Sequence, residues 1–293
     1  MLFLINIIVA GLLSGLMYAL VAIGFVLIYK ASGVFNFAQG AMVLLSALTF
    51  VTLNEHGLPF WLCFIITVGV LIVAAVLIEF LVLRPLVNRS PDTLFMATLG
   101  LSFVIEGLAQ LVLGTDVHQL DLGIPDVPLK LYGLQVSDFD LFTAVVSILL
   151  VAVLALLFGK TRVGISLRAV ADNTLAAQSI GIRLPYIWRI VWSVAGVVAL
   201  IAGLLWGNRQ GVQFSLSLVV LKAMPVLIIG GFSSIPGAIV GGLIVGATEN
   251  LADIYIGPLV HGAVSDWFAY ILATAFLLIR PNGLFGEKPI QRV

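Results

Sequence analysis

The stretch GKTRVGISLRAVADNTLAAQSIGIRLP, residues 159–185, separates two long apolar segments and decides how the chain is arranged around a membrane. Its charged residues are four bases and one acid: Lys160, Arg162, Arg168, Arg183 and Asp172. Apolar residues recur at 167, 170, 171 and 175, the spacing of one helix face, which predicts a short amphipathic helix within 164–183. Such a helix could lie on the membrane surface as an anchor, or it could fit a groove on a partner.

The composition is that of a membrane protein. Hydrophobic residues make up 61% of the chain and charged residues 10%, against roughly 45–50% and about 25% in soluble domains. Backbone groups inside a bilayer must find their hydrogen bonds within the segment, so each apolar segment is expected to be a helix. The sequence therefore predicts an all-α, polytopic integral membrane protein.

Nine apolar segments account for most of the chain. Six are long: 2–29, 34–53, 60–83, 93–113, 141–158 and 186–207. Three are shorter, and each of these is either a full span or a half-helix: 216–230, 235–252 and 263–279. We predict about eight or nine transmembrane or half-spanning helices in a single transmembrane domain over residues 1–293. The first 29 residues hold no Lys or Arg, which favours a retained helix over a signal peptide.

The basic residues orient these segments. With the N-terminus outside and nine alternating segments, all but three of the 14 basic residues fall on the inner side. The exceptions are Lys130, Arg209 and Lys222. Residues 159–185 then form a cytoplasmic arm, the C-terminus is cytoplasmic, and the acidic loop of about 114–140 is periplasmic. The Pro and Gly residues of this loop predict turns and short strands, and it is either a solvated connection or a docking surface.

Two interrupted segments resemble each other at a shift of 201 residues, namely 22–40 and 223–241. Each combines an apolar run, a break that contains Ser and a restart that ends in Gly. Because transporters are often built from repeats with broken helices near the path, these segments predict a weak internal repeat. Glycine pairs at four-residue spacing predict close helix packing, within the chain or at a subunit seam: Gly11/Gly15, Gly203/Gly207, Gly237/Gly241 and Gly242/Gly246.

Polar residues within the apolar segments are the candidates for a translocation path or gate. Asn36 and Gln39 follow the first break, where their amides could bond unwound backbone or a passing solute, and Phe35 and Phe37 would supply apolar walls. The alternative for this group is helix capping and packing. Glu106 is either a gate or a carboxyl group that is hydrogen-bonded to a neighbouring helix.

Three further charged residues invite structural interpretations. Glu79 lies near the inner end of its segment, with Arg84 five residues on, which favours a structural role. Lys222 precedes Pro225, and it either snorkels to the interface or holds the break in place. Glu249 is expected close to the outer boundary and in contact with water.

No motif predicts an enzyme, a cofactor or a metal site. Gly159-Lys160-Thr161 resembles the end of a phosphate loop, but Leu154 stands where the pattern needs a Gly. The three histidines lack the spacing of metal ligands. We therefore predict a transport subunit that binds no cofactor and no nucleic acid. If its transport is driven by ATP, the hydrolysis must take place on partner subunits.

Four stretches resemble the membrane-permease subunits of bacterial high-affinity branched-chain amino acid ABC importers and of the related urea and short-chain amide importers. They are GLLSGLMYALVAIGFVLIYKASGVFNFAQGA at 11–41, GISLRAVADNTLAAQSIGI at 164–182, LKAMPVLIIGGFSSIPGAIVGG at 221–242 and RPNGLFG at 280–286. The resemblance implies an inner-membrane assembly with a second permease, homologous or identical, two cytoplasmic ATPases and a periplasmic substrate-binding protein.

The same resemblance implies a coupling site. In ABC importers a permease loop of the form EAA, three residues, then Gly inserts into the ATPase. Ala176, Ala177 and Gly181 match part of that pattern, while Leu175 replaces the Glu. The predicted ATPase-coupling residues are Arg168, Asp172, Asn173, Ala176, Ala177, Gly181 and Ile182.

The resemblance thus implies a permease that imports branched-chain or other hydrophobic amino acids by alternating access. A urea or short-chain amide importer is the alternative within the family. A stand-alone secondary carrier or channel, with Glu106 as a proton site, is the alternative outside it. A non-transporting scaffold is disfavoured because intramembrane polar groups are costly.

Overall fold

The computed structural model describes residues 2–87, 89–125, 127–131, 134–260 and 264–286. The helices of this part are α1 (Leu2–Ser32), α2 (Ala38–Glu55), α3 (Phe60–Ile78), α4 (Pro91–Leu113), α5 (Asp138–Lys160), α6 (Arg162–Asp172), α7 (Thr174–Ser179), α8 (Leu184–Gln210), α9 (Val219–Gly230), α10 (Ile235–Tyr255), α11 (Gly257–Val260) and α12 (Ser265–Ile279). A π-helix, Glu79–Leu83, and a 3₁₀ turn, Arg84–Leu86, continue α3, and a 3₁₀ helix, Phe214–Leu218, precedes α9.

The predicted all-α membrane fold is confirmed. Six of the helices are long and apolar enough to cross a bilayer. The helical stretches at Phe214–Gly230 and Trp267–Ile279 are apolar but shorter, so full crossing by these two stays a prediction. Within the acidic loop, β1 (Pro128–Leu131) and β2 (Leu134–Ser137) form the expected short strands, paired antiparallel with Leu129 opposite Val136.

The chain packs as two compact units whose segments alternate along the sequence. The first comprises the described residues of Met1–Val26, Gly123–Leu149 and Leu221–Val293, and the second those of Leu27–Leu122 and Leu150–Val220. The single domain over residues 1–293 stays a prediction.

Glycines bring α1 and α10 into backbone contact in the first unit. A Cβ atom on Gly11 would lie 2.6 Å from the carbonyl oxygen of Gly246, and one on Gly15 would lie 2.8 Å from the carbonyl carbon of Gly242. Both distances are shorter than real Cβ contacts allow, so any side chain there would push the helices apart. These two pairs serve packing within the chain, one of the two alternatives that the sequence left open.

The break between α9 and α10 is closed by the RPNGLFG segment. The backbone N–H of Leu284 donates to the carbonyl oxygen of Ile229 at 2.8 Å, and that of Phe285 donates to Gly230 at 3.1 Å. Gly231, with φ of +101°, makes the turn, and Ser234 accepts a hydrogen bond from the N–H of Gly237 to cap α10. Backbone groups freed by the interruption are therefore satisfied within the unit.

Both segments of the predicted repeat are interrupted. The first break begins at Gly33, with φ of +69°, directly after α1 ends at Ser32. The second begins at Gly231, directly after α9 ends at Gly230. The internal repeat at a shift of 201 residues stays a prediction.

Helix α2 is the centre of the second unit. It packs against α3, α4, α8 and the 3₁₀ helix Phe214–Leu218, and its residues from Ala38 to Leu44 are all buried. Gly203 lets α8 approach closely, since a Cβ atom there would lie 2.7 Å from the carbonyl oxygen of Val43. Ser46 fixes the same contact by donating to the carbonyl oxygen of Ala199 at 3.2 Å.

Candidate functional site

The basic arm folds as two helices, α6 and α7, where the sequence predicted one helix within 164–183. The helix is broken at Asn173, whose backbone is extended (φ −159°, ψ 103°) and whose Oδ1 accepts a hydrogen bond from the N–H of Ala176 at 3.0 Å. Asparagine competes with helical hydrogen bonding and favours caps, which explains why the chain restarts here. Thr161 caps α6 in the same way through the N–H of Gly164.

The first of these helices is fastened to the membrane helices of its unit. The Nη1 atom of Arg168 donates to the carbonyl oxygen of Phe158, in the last turn of α5, at 3.1 Å. A Cβ atom on Gly164 would lie 2.7 Å from the Cα of the same Phe158. Leu167 and Val170 are buried, and α6 packs against α8. Arg168 therefore anchors the arm to α5, and Asp172 remains exposed.

The second helix exposes apolar side chains at the tip of the arm. Leu175 is 70% exposed and Ile180 is 75% exposed, whereas Ala177 is buried at 2%. Ala176 and Gly181 are also exposed, and Gly181 turns the chain with φ of +92°. Leu175 is the second residue of α7, and Ile180 directly follows its last residue, so the two exposed apolar side chains stand at opposite ends of this short helix. The sequence analysis did not include Leu175 or Ile180 among the coupling residues. Leu175 was left out because the family pattern has Glu at its position.

The two remaining predicted coupling residues, Asn173 and Ile182, differ in how exposed they are. Asn173 is exposed and caps α7, and Ile182 is half-buried with its N–H bonded to the carbonyl oxygen of Ala177 at 3.0 Å. The coupling role of the whole set stays a prediction.

The first break buries two amide side chains. Asn36 and Gln39 are fully buried. The Oδ1 atom of Asn36 accepts from the N–H of Ala38 at 3.1 Å, and the Nε2 atom of Gln39 donates to the carbonyl oxygen of Ala195 at 3.4 Å. The second polar atom of each amide has no hydrogen-bond partner among the described residues, and neither has the Nε1 atom of the buried Trp192, one turn before Ala195. Buried polar atoms are nearly always paired, so three orphans, one just before α2, one in its first turn and one on α8, mark an unusual site.

Aromatic rings and one hydroxyl group complete the surroundings of the break. The ring of Phe37 lies edge-on to Phe35, with 4.9 Å between centroids, and to Phe95 of α4, with 5.1 Å. The Oγ1 atom of Thr98 lies 3.2 Å from the carbonyl oxygen of Phe35 and accepts from the N–H of Phe37 at 3.3 Å. Nothing in the sequence alone indicated Thr98, because its role depends on α4 packing against α2.

Glu106 is not part of this group. It lies eight residues beyond Thr98 on α4, which is about 12 Å along the helix. Its side chain is half-buried, and the described residues offer it no hydrogen bond or ion pair. The structure thus brings together Phe35, Asn36, Phe37 and Gln39 and leaves Glu106 apart.

The buried Glu79 is paired, as a structural role requires, but with a different arginine from the sequence neighbour. Its Oε2 atom accepts from the Nε of Arg189 on α8 at 2.7 Å. Arg84 instead lies exposed and places its guanidinium 5.9 Å from the centroid of the Phe80 ring. Packing of α3 on α8 supplies the partner, and sequence spacing could not show it.

A second ion pair lies in the first unit, between Lys222 and Glu249. The Nζ atom of Lys222 donates to Oε1 of Glu249 at 2.9 Å and to the carbonyl oxygen of Ser265 at 3.0 Å. The hydroxyl of Tyr18 donates to the same carboxylate oxygen at 3.2 Å. Glu249 is only 5% exposed, so the expectation of a wetted carboxylate was wrong: α9 and α10 run against each other and enclose it. Lys222 joins α9, α10 and α12 rather than snorkelling.

We expect the Lys222→Met substitution to destabilise the protein by about 3–5 kcal/mol, because it leaves the Glu249 carboxylate buried without its cation. The double variant Lys222→Met/Glu249→Leu should recover most of that loss. The measurement is denaturant unfolding in mixed micelles. Arg183→Met, which removes an exposed basic side chain, is the control and should change little. Equal stability of the wild type and Lys222→Met would show that the pair contributes nothing.

Comparison with known proteins identifies the family of the chain. The family model described as the permease component of branched-chain amino acid transport systems matches residues 7–280. The probable branched-chain amino acid transport permease protein LivH of Methanocaldococcus jannaschii is 32% identical, over 94% of this chain and 90% of its own. LivH of the high-affinity system of Escherichia coli is 25% identical, and BraD of Pseudomonas aeruginosa is 26% identical, each over 97% of this chain and 96% of its own.

Among solved structures, PsaBC from Streptococcus pneumoniae in complex with Fab aligns over 92% of this chain and 89% of that chain, with 16% identity and a TM-score of 0.49. The sequence relatives carry the assignment. Because the family match and these relatives extend over nearly the whole chain, the protein belongs to the family of permease components of branched-chain amino acid transport systems.

Proposed function

We propose that this chain is the transmembrane permease subunit of an ATP-driven importer of branched-chain and other hydrophobic amino acids. Family membership and the names of the full-length relatives support the substrate class. The observation that carries the coupled mechanism is the arm, whose base is fastened to α5 and α8 while its tip exposes Leu175 and Ile180. A self-sufficient carrier has no need for an apolar surface at the tip of a basic loop.

The proposed assembly adds a second permease, homologous or identical, two cytoplasmic ATPases that hydrolyse the ATP, and a periplasmic substrate-binding protein. The N-terminus lies outside and the C-terminus in the cytoplasm of the inner membrane. The ion pair of Lys222 supports this orientation. Because Glu249 neutralises Lys222 inside the protein, this lysine contributes little to the excess of positive charge on the inner side that sets the orientation. Lys222 is one of the three basic residues that the proposed orientation does not place on the inner side.

A continuous series of contacts in the second unit links the arm to the first break. Helix α7 packs on α6, α6 packs on α8, and α8 packs on α2. At the far end of this series, Trp188 donates to the carbonyl oxygen of Ala31 at 3.1 Å, and Gln39 donates to Ala195. When the ATPases close on α7, the displacement of α8 acts on both sides of the break. Phe35, Asn36, Phe37 and Gln39 form the gate of the path, and the orphan amide atoms are then available to a polar solute.

The function is tested by reconstituting the full chain in liposomes together with the subunits that co-purify with it. ATP inside the liposomes should drive uptake of radiolabelled leucine, isoleucine and valine, but not of urea or acetamide. Liposomes that hold the chain alone should show no uptake under a proton or sodium gradient. Gradient-driven uptake by the chain alone, lost in Glu106→Gln, would establish the secondary carrier instead, and uptake of urea would establish the other branch of importers.

We expect Leu175→Lys and Ile180→Glu to lower ATP-driven uptake at least tenfold, because each places a charge in the apolar contact with the ATPase. Co-purification of the ATPase should fall in parallel. The control is Ile165→Glu, which alters an apolar residue of α6 that is 59% exposed and lies outside the predicted contact. Uptake that stays at the wild-type level in both α7 variants would exclude coupling through this helix.

Cysteine labelling tests the gate. In a Cys63→Ala background, Gln39→Cys should react with a charged thiol reagent only while substrate and ATP drive the cycle, because the position is fully buried at rest. Ser46→Cys, on the same helix and equally buried, should stay unreactive throughout. Labelling of position 39 that does not depend on ATP would contradict a gate at this break.

A further inference from the structure

An apolar crevice with a volume of about 570 Å³ lies between α3 and α4 in the second unit. Helix α2 forms its floor through Leu45 and Thr49, and Thr49 is the only lining residue with a polar side chain. The two walls carry exposed apolar side chains such as Leu77 and Leu108, which are 50% and 57% exposed. An amino acid would find no partner here for its ammonium and carboxylate groups, so the crevice is not a substrate site.

The crevice is long enough for an acyl chain of one leaflet. Its lining extends from Val70 to Val82 on α3 and the π-helix, about 18 Å, and from Ala97 to Leu113 on α4, about 24 Å at the rise of a helix. Half of the hydrocarbon core of a bilayer is about 15 Å thick. A single acyl chain, extended along the membrane normal, therefore fits the long axis.

One end of the crevice is basic. The lining residues Leu81 and Val82 lead directly to Arg84, and Arg89 follows in the connection to α4. Both arginines are exposed, and within the described residues neither forms an ion pair. Asp92 is the only acid in the segment 84–92, so this end has a net positive charge. Arginine pairs readily with phosphate through its planar fork of donors.

We propose that this crevice is a binding site for an anionic phospholipid, with one acyl chain between α3 and α4 and the phosphate at Arg84 and Arg89. The bilayer is itself apolar, so burial of the chain gains only packing, and the preference for this lipid comes from the charge at the inner end. The site belongs to the cytoplasmic leaflet in the proposed orientation. Anchoring a lipid there fills a gap beside α2, the helix that carries the gate residue Gln39.

Native mass spectrometry of the full-length protein in mild detergent, titrated with phosphatidylglycerol or phosphatidylcholine, tests the proposal. We expect one strongly retained phosphatidylglycerol per chain and about tenfold weaker retention of phosphatidylcholine. Arg84→Gln/Arg89→Gln should remove that preference, and the exposed Arg183→Gln should not. Equal retention of both lipids by the wild type would overturn the headgroup assignment.

Filling the crevice tests the acyl chain separately. Ala97→Trp places a large ring in the α4 wall, and Ala74→Phe does so from α3; either should lower lipid occupancy at least fivefold. The matched control is Met96→Trp, on the adjacent residue, which is 63% exposed and lies outside the lining. Each variant must elute as a monodisperse species. Unchanged occupancy in both filled variants would overturn the proposal, and if they instead dissociate a permease dimer, the crevice is a subunit interface.

Discussion

Buried backbone groups that the end of a helix leaves unpaired must find other hydrogen-bond partners, and this constraint shapes both interruptions in the chain. At the second break, carbonyl groups freed by the end of α9 accept from Leu284 and Phe285, which follow the last helix. At the first, Thr98 of a neighbouring helix and the side chain of Asn36 bond the unwound residues. The breaks are therefore stable features of the fold, although each depends on a segment far away in sequence.

The two breaks differ in how completely this requirement is met. The second is closed by backbone hydrogen bonds and by glycines packed too tightly for any side chain. The first leaves amide atoms of Asn36 and Gln39 without partners among the described residues. A fully bonded break suits a structural role, whereas buried polar atoms without partners are energetically costly and would gain from hydrogen bonds to a polar solute. This contrast is why the gate is proposed at the first break alone.

Local physical chemistry predicted the helices well, because length and apolarity decide what crosses a bilayer. It also located the arm, since basic residues cluster there. It failed where the partner is distant in sequence. Glu79 pairs with Arg189, which is 110 residues away, and Glu249 of α10 is buried against Lys222 of α9. The break at Asn173 could have been predicted from its capping preference, but the apolar periodicity through Leu175 masked it. The exposure of Leu175 and Ile180 could not have been predicted, because it depends on how α6 packs on α8.

The hydrogen bonds of Leu284 and Phe285 to Ile229 and Gly230 also determine when the second break can form during synthesis. The acceptors are synthesised 55 residues before the donors (284 minus 229), which at about 5–20 residues per second is an interval of about 3–11 seconds. During that time the carbonyl groups of Ile229 and Gly230 lack the partners that they have in the folded protein. Completion of this break is therefore a late event in synthesis.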